Sequence, residues 1–101
     1  MVPFDKLNEI TRRFEFIEAQ MAEGGGDIAQ LGREYAELRP VVEEIRAYLQ
    51  ALEDLTAAEA MLDDPEMREL AEEERAGITA RLPDMETALQ LALLPKEEAV
   101  S

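Results

Sequence analysis

IAQLGREYAELRPVVEEIRAYLQALEDLTAAEAML, running from Ile28 to Leu62, is the stretch that decides the fold. Within it Ile28, Leu31, Tyr35, Leu38, Val42, Ile45, Leu49 and Leu52 recur in alternating steps of three and four. Such a stripe keeps one face of an α-helix apolar and, held over this length, approaches the heptad phase of coiled-coil packing. Pro40 works against the helix, because it lacks an N–H and crowds the carbonyl four residues earlier. The stripe nevertheless keeps its phase across Pro40, which predicts a kink or a very short break. Beyond it the pattern continues through Leu55, Ala58 and Leu62.

Upstream, Phe4, Leu7, Ile10, Phe14, Ile17 and Met21 form another stripe. It predicts a helix over 3–23, with Pro3 in the first turn, where a missing N–H costs nothing. Gly24, Gly25 and Gly26 end that helix, since glycine takes the left-handed closing turn without strain. Asp27 then supplies an N-cap for the next one. Downstream, Asp63-Asp64-Pro65-Glu66 punctuates the chain. Either Asp64 is the N-cap with Pro65 in the first helical position, or Asp63 is the N-cap and Glu66 completes a capping box. Both readings start a third helix near residue 64. Its stripe is Met67, Leu70, Ala71, Ile78, Leu82, Met85, Leu89, Ala92 and Leu93. Glu74 and Arg75 stand where an apolar residue is due, and Gly77 and Pro83 weaken the interior. A kinked or locally frayed helix ending before Pro95 is expected, with Lys96 to Ser101 a polar tail. Three stripes on short connections predict an all-α fold: an antiparallel three-helix bundle with coiled-coil-like packing, its second helix kinked near Pro40. The domain is expected over 1–96, with 97–101 as the tail.

Composition agrees. Ala, Glu, Leu, Arg and Lys fill 56 of 101 positions, while Val and Ile together fill nine. That alphabet favours long helices over sheet. Ten Lys and Arg stand against 24 Asp and Glu, a net charge of −14. A broad phosphate-binding face needs clustered cations, so direct nucleic-acid binding is not expected. Acidic chains of this kind meet basic protein surfaces. No apolar run reaches the length of a membrane span, and Met1 to Phe4 lead into no signal-peptide core. A cytoplasmic chain without membrane contact is expected.

The chemistry of the side chains points away from catalysis. His and Cys are absent, and the only Ser is Ser101. The usual neutral-pH base, the thiolate nucleophile and a Ser-His-Asp triad are therefore out of reach. Asp63 and Asp64 read as capping residues. Glu69, Glu72, Glu73 and Glu74 could gather a cation, but binuclear bundles add a Glu-x-x-His pair and calcium loops alternate their oxygen ligands around a Gly. Glu43 with Glu44 reads as a solvated face, and Glu97 with Glu98 as tail. Gly24 to Gly26 lacks the Lys and Ser or Thr of a phosphate loop and is read as a hinge. Phe4, Phe14 and Tyr35 are assigned to the core. Phe16, off the first stripe, is assigned to a second core face, the alternative being an exposed anchor for a partner. Arg12 and Arg13 are read as intrahelical partners of nearby acids, with a small partner contact as the other option. No catalytic, cofactor-binding or metal-binding residue is assigned, and the chain is expected not to be an enzyme.

Three segments in order, LGREYAEL (Leu31 to Leu38), MLDDPEMRELAEEE (Met61 to Glu74) and LALLPK (Leu91 to Lys96), resemble the N-terminal domain of the bacterial peptide chain release factor 1 family, a branch of the class I release factors. The resemblance covers essentially the whole chain. It implies a three-helix N-terminal domain and a part in translation termination at UAA and UAG on the ribosome. It also implies contact with the ribosomal stalk base and GTPase-associated region, and with the class II release factor. The family's Gly-Gly-Gln and Pro-x-Thr motifs do not occur in these residues, so the chain is expected to be one domain taken from a longer factor. Composition and periodicity alone equally allow a free-standing acidic helical adaptor, while a carboxylate-dependent enzyme is disfavoured.

Overall fold

The structure, a computed structural model, describes residues 2–94. Among them are three helices: α1 (Phe4–Glu23), α2 (Ile28–Met61) and α3 (Arg68–Ala92). The all-α architecture expected from the three stripes holds. The expected tail, Lys96 to Ser101, lies outside the described residues, as does Pro95.

The chain divides into two compact units, Met1–Ile45 and Arg46–Ser101. The first pairs α1 with the opening turns of α2. Gly24 closes α1 in the left-handed conformation (φ 73°), its N–H reaching the Met21 carbonyl while the Gly25 N–H reaches that of Gln20. This is a Schellman closure, which a residue with a Cβ would strain. Asp27 caps α2 as expected, its Oδ1 accepting from the N–H groups of Ala29 and Gln30 at 3.1 and 3.2 Å. The core of this unit holds Leu7, Phe14 and Ile17 from α1 and Val42 and Ile45 from α2, with Val2 also buried. Phe14 stacks on Tyr35 with ring centroids 4.8 Å apart. Leu31, Tyr35 and Leu38 are half-buried rather than buried. Phe4 departs further from expectation: it is 46% exposed, because it occupies the first turn of α1, where the helix pair has run out of neighbours.

The second unit pairs the rest of α2 with α3. Its buried residues are Tyr48, Ala51 and Ala58 on α2 and Ala71, Ile78 and Leu89 on α3. Alanines 51 and 58 lie one heptad apart, as do Ala71 and Ile78, so three of these four seam positions carry the small side chain that permits close helix packing. The buried line thus runs one position ahead of the expected Leu49 and Leu52, both half-buried. Tyr48 takes the place expected for Leu49, since its ring packs inside while its hydroxyl reaches Glu86 at 2.8 Å.

Three points of helix continuity bear on the expectations. First, α2 runs through Pro40 as one helix, without the very short break that was the alternative to a kink there. The proline lies on an exposed face, where water can satisfy the carbonyl it leaves unbonded. Second, α3 runs unbroken through Gly77 and Pro83, both also exposed. Third, α3 begins at Arg68, not near 64. Residues 62–67 form a series of tight turns closed by Asp64 N–H to Met61 O (3.1 Å) and Met67 N–H to Asp64 O (3.0 Å). The Asp64 carboxylate accepts from the Glu66 N–H at 3.0 Å, so it caps a turn rather than the helix. Arg68 Nε donates to the Leu62 carbonyl at 3.0 Å and ties the connection to the start of α3.

Candidate functional site

The residues singled out in the sequence fall in three places. On α1, Arg13 makes a two-pronged ion pair with Glu34 on α2, at 2.6 and 2.7 Å. The guanidinium holds the Glu34 carboxyl below its usual range, and the same hydrogen bonds raise Arg13. Its carbon also sits 5.5 Å from the Phe16 ring centroid. Phe16 is 51% exposed, which corrects its assignment to the core: it flanks a surface ion pair. Arg13 pairs across the two helices rather than along one, a contact that helical spacing alone does not reveal. Arg12 is exposed beside it. On α2, Glu43 pairs with Arg39 one turn earlier at 3.2 Å, and Glu44 is exposed.

The third place is the end of the second unit, where α2 turns into α3. Asp63 and Asp64 lie in the connection and Glu69, Glu72, Glu73 and Glu74 on exposed positions of α3. Among the described residues no three carboxylates come together as a metal-holding group. What the structure does bring together here is apolar. Met61, Met67 and Leu70 line a notch of about 180 Å³ together with the buried Ala58 and Ala71, the exposed Ala57, and the carboxylates of Asp54 and Glu74. Met61 is 43% and Leu70 50% exposed. The sequence reading placed Leu70 on the stripe of the third helix, while Met61 lies beside Leu62, the last position of the second stripe. Met61 and Leu70 are exposed because the connection of six residues carries the chain away before anything can cover them.

Inside this unit the Tyr48 hydroxyl donates to Glu86, and its pKa is pushed up to about 12, first by burial and then by the Glu86 hydrogen bond and charge. Such a phenol stays protonated and holds two helices together. It is a structural contact that the stripe analysis missed, although a tyrosine within reach of an acid on the facing helix was a usable signal.

Comparison with known proteins agrees with the ordered motifs. A family model described as the PCRF domain matches residues 5–100. The chain belongs to the PCRF domain family. The peptide chain release factor 1 of Dinoroseobacter shibae is 67% identical to it over 101 residues, covering 98% of this chain and 29% of the relative. Those of Ruegeria pomeroyi and Roseobacter denitrificans are 55% and 56% identical with the same coverage. The chain thus spans less than a third of the length of these relatives. No solved structure matches it. The resemblance to the release factor 1 family read from Leu31–Leu38, Met61–Glu74 and Leu91–Lys96 is borne out. No helix among the described residues is long and apolar enough to cross a membrane.

Proposed function

We propose that this chain is the N-terminal interaction domain of a class I peptide chain release factor, working in translation termination at UAA and UAG stop codons on the ribosome. The observation that carries the reading is the PCRF match across residues 5–100, supported by 67% identity to a curated release factor 1. On this reading the domain is not catalytic: codon reading and peptide release belong to other parts of such a factor. Its work is docking. A net charge of −14 favours a basic protein surface and disfavours bare RNA, whose phosphates repel the same carboxylates. The partners are a basic protein of the ribosomal stalk base, in the GTPase-associated region, and the class II release factor. The setting is the cytoplasm, without membrane contact.

Two measurements test this. Added alone to stop-programmed ribosomes, the chain should release no peptide, and codon-dependent release would refute the non-catalytic role. Titrated against stalk-base protein and stalk-base RNA separately, it should bind the protein weakly, with micromolar or weaker affinity, and more weakly still as salt rises. Tight binding to naked RNA would overturn the electrostatic argument.

A further inference from the structure

The notch where α2 meets α3 opens onto a second groove along the same helix pair. Asp54 and Glu74 line both, and Glu73, Gly77 and Arg81 line the second, with Ile78 at its base. Gly77 matters here, because a Cβ at that position would meet nothing within 4 Å. The backbone at Gly77 is thus open on the groove side, with Glu73 and Arg81 as the long side chains beside it.

Resting on the proposed docking role, we propose that this groove receives a basic amphipathic helix of a partner protein. One leucine- or methionine-sized side chain enters the notch, and Lys or Arg about one turn away lie over Asp54, Glu73 and Glu74. The size fits. A cavity of about 150 Å³ accepts a benzene-sized group, and the notch holds about 180 Å³. The geometry fits as well: an apolar notch continued by a charged groove between two antiparallel helices is a setting in which a helix docks through anchors on one face. Methionine walls adapt to differing anchors.

The charge pattern narrows the occupant. Phosphate is repelled by the flanking carboxylates. A single metal ion would need three ligands gathered at one point, and these acids are spread along the groove. A second copy of this chain would bring another −14 to the same surface. A cationic helix satisfies both the apolar notch and the spread acids.

The probe is a labelled synthetic helical peptide with leucines on one face and lysines on the other, titrated into the 101-residue chain by fluorescence anisotropy. Binding should weaken about tenfold on replacing the anchoring leucine of the peptide by serine, as burial of one such side chain implies. Leu70→Gln and Met61→Gln, both at exposed positions and so compatible with folding, should each weaken it about tenfold with the circular dichroism spectrum unchanged. Asp54→Asn with Glu74→Gln should flatten its salt dependence, and Gly77→Leu should obstruct the helix beyond the notch. Phe16→Gln, on α1, should change nothing. Peptide binding indifferent to Leu70→Gln, Met61→Gln and Gly77→Leu in folded variants would overturn the groove, as would concentration-dependent dimerisation lost in Leu70→Gln. If the groove variants leave binding to stalk-base protein intact, the groove assignment fails while the ribosomal role stands. If the groove binds the peptide but no ribosomal component binds the chain, the reverse holds.

Discussion

Removing the Tyr48 hydroxyl gives a pH-resolved test of the packing between α2 and α3. The residue is 3% exposed and its phenol donates to Glu86 at 2.8 Å. Burial, then the hydrogen bond and charge of Glu86, raise its pKa from 10 to about 12. The folded protein thus holds this proton more tightly than the unfolded chain does. Stability from the contact is fully present below pH 10 and drains away as the pH rises toward 12. Converted at about 1.4 kcal/mol per tenfold, the gap amounts to just under about 3 kcal/mol. Water has access to the half-buried Glu86, so the usable part is about 1–2 kcal/mol. At neutral pH Tyr48→Phe keeps the ring, opens no cavity and loses one hydrogen bond to a charged acceptor, a cost of about 1–2 kcal/mol. Urea midpoints followed by circular dichroism, for both proteins below pH 10 and again close to 12, measure each quantity. Lys and Arg deprotonation affect the two proteins alike, so the difference between their curves isolates Tyr48. The native protein should lose its advantage over Tyr48→Phe at high pH. An equal alkaline loss in both would refute a buried, Glu86-bonded phenol.

Other outcomes follow from burial and backbone. Leu89→Ala, at a fully buried position, should cost about 2–5 kcal/mol by chemical denaturation, whereas Leu49→Ala, half-buried, should cost clearly less; equal costs would mean that the burial pattern of the second unit is wrong. Gly77→Ala should stabilise by about 0.4–1 kcal/mol, since the site is helical, exposed and open, and a lower melting temperature would contradict that openness. Raising NaCl from low to moderate concentration should raise the melting temperature, because screening over about 10 Å at 0.1 M relieves the repulsion of a −14 chain more than it weakens close pairs such as Arg13–Glu34. An unchanged or lower midpoint would mean that such pairs outweigh the net repulsion.

Helix identity was legible because period and punctuation agreed. Leu7, Phe14 and Ile17 repeat on one face, Gly24 supplies the left-handed closure and Asp27 the cap, and all of these behave as their chemistry dictates. The start of α3 was not legible, because Asp64 followed by Pro65 is an equally good opening for a turn. What decides is the pair of hydrogen bonds from Arg68 to Leu62 and from Glu66 to Asp64, and neither partner is marked by spacing. Pro40, Gly77 and Pro83 all sit inside unbroken helices for one shared reason. Propensity penalties are charged per residue, while packing of the flanking turns acts over the whole helix and prevails when the offending residue faces water.

The stripe itself failed in a more instructive way on α2. A periodic pattern reports which residues are apolar, not which are covered, and a long helix with Leu49 and Leu52 beside Tyr48 and Ala51 carries two adjacent candidate faces, which meet again at Ala58. The structure buries the line containing the small residues, because alanine permits close helix approach and Tyr48 adds a cross-helix hydrogen bond that leucine cannot make. The same blindness explains Met61 and Leu70. Leu70 fits a core period and Met61 neighbours one, yet each lies within a turn or so of a helix end beside the 62–67 connection, where α2 stops and α3 begins. Apolar side chains at such an end have half a partner. Their exposure costs hydrophobic stabilisation that a polar residue would not forfeit, and with acids at Asp54, Glu73 and Glu74 along the adjoining groove, the face they leave uncovered is matched to a cationic apolar partner rather than to water.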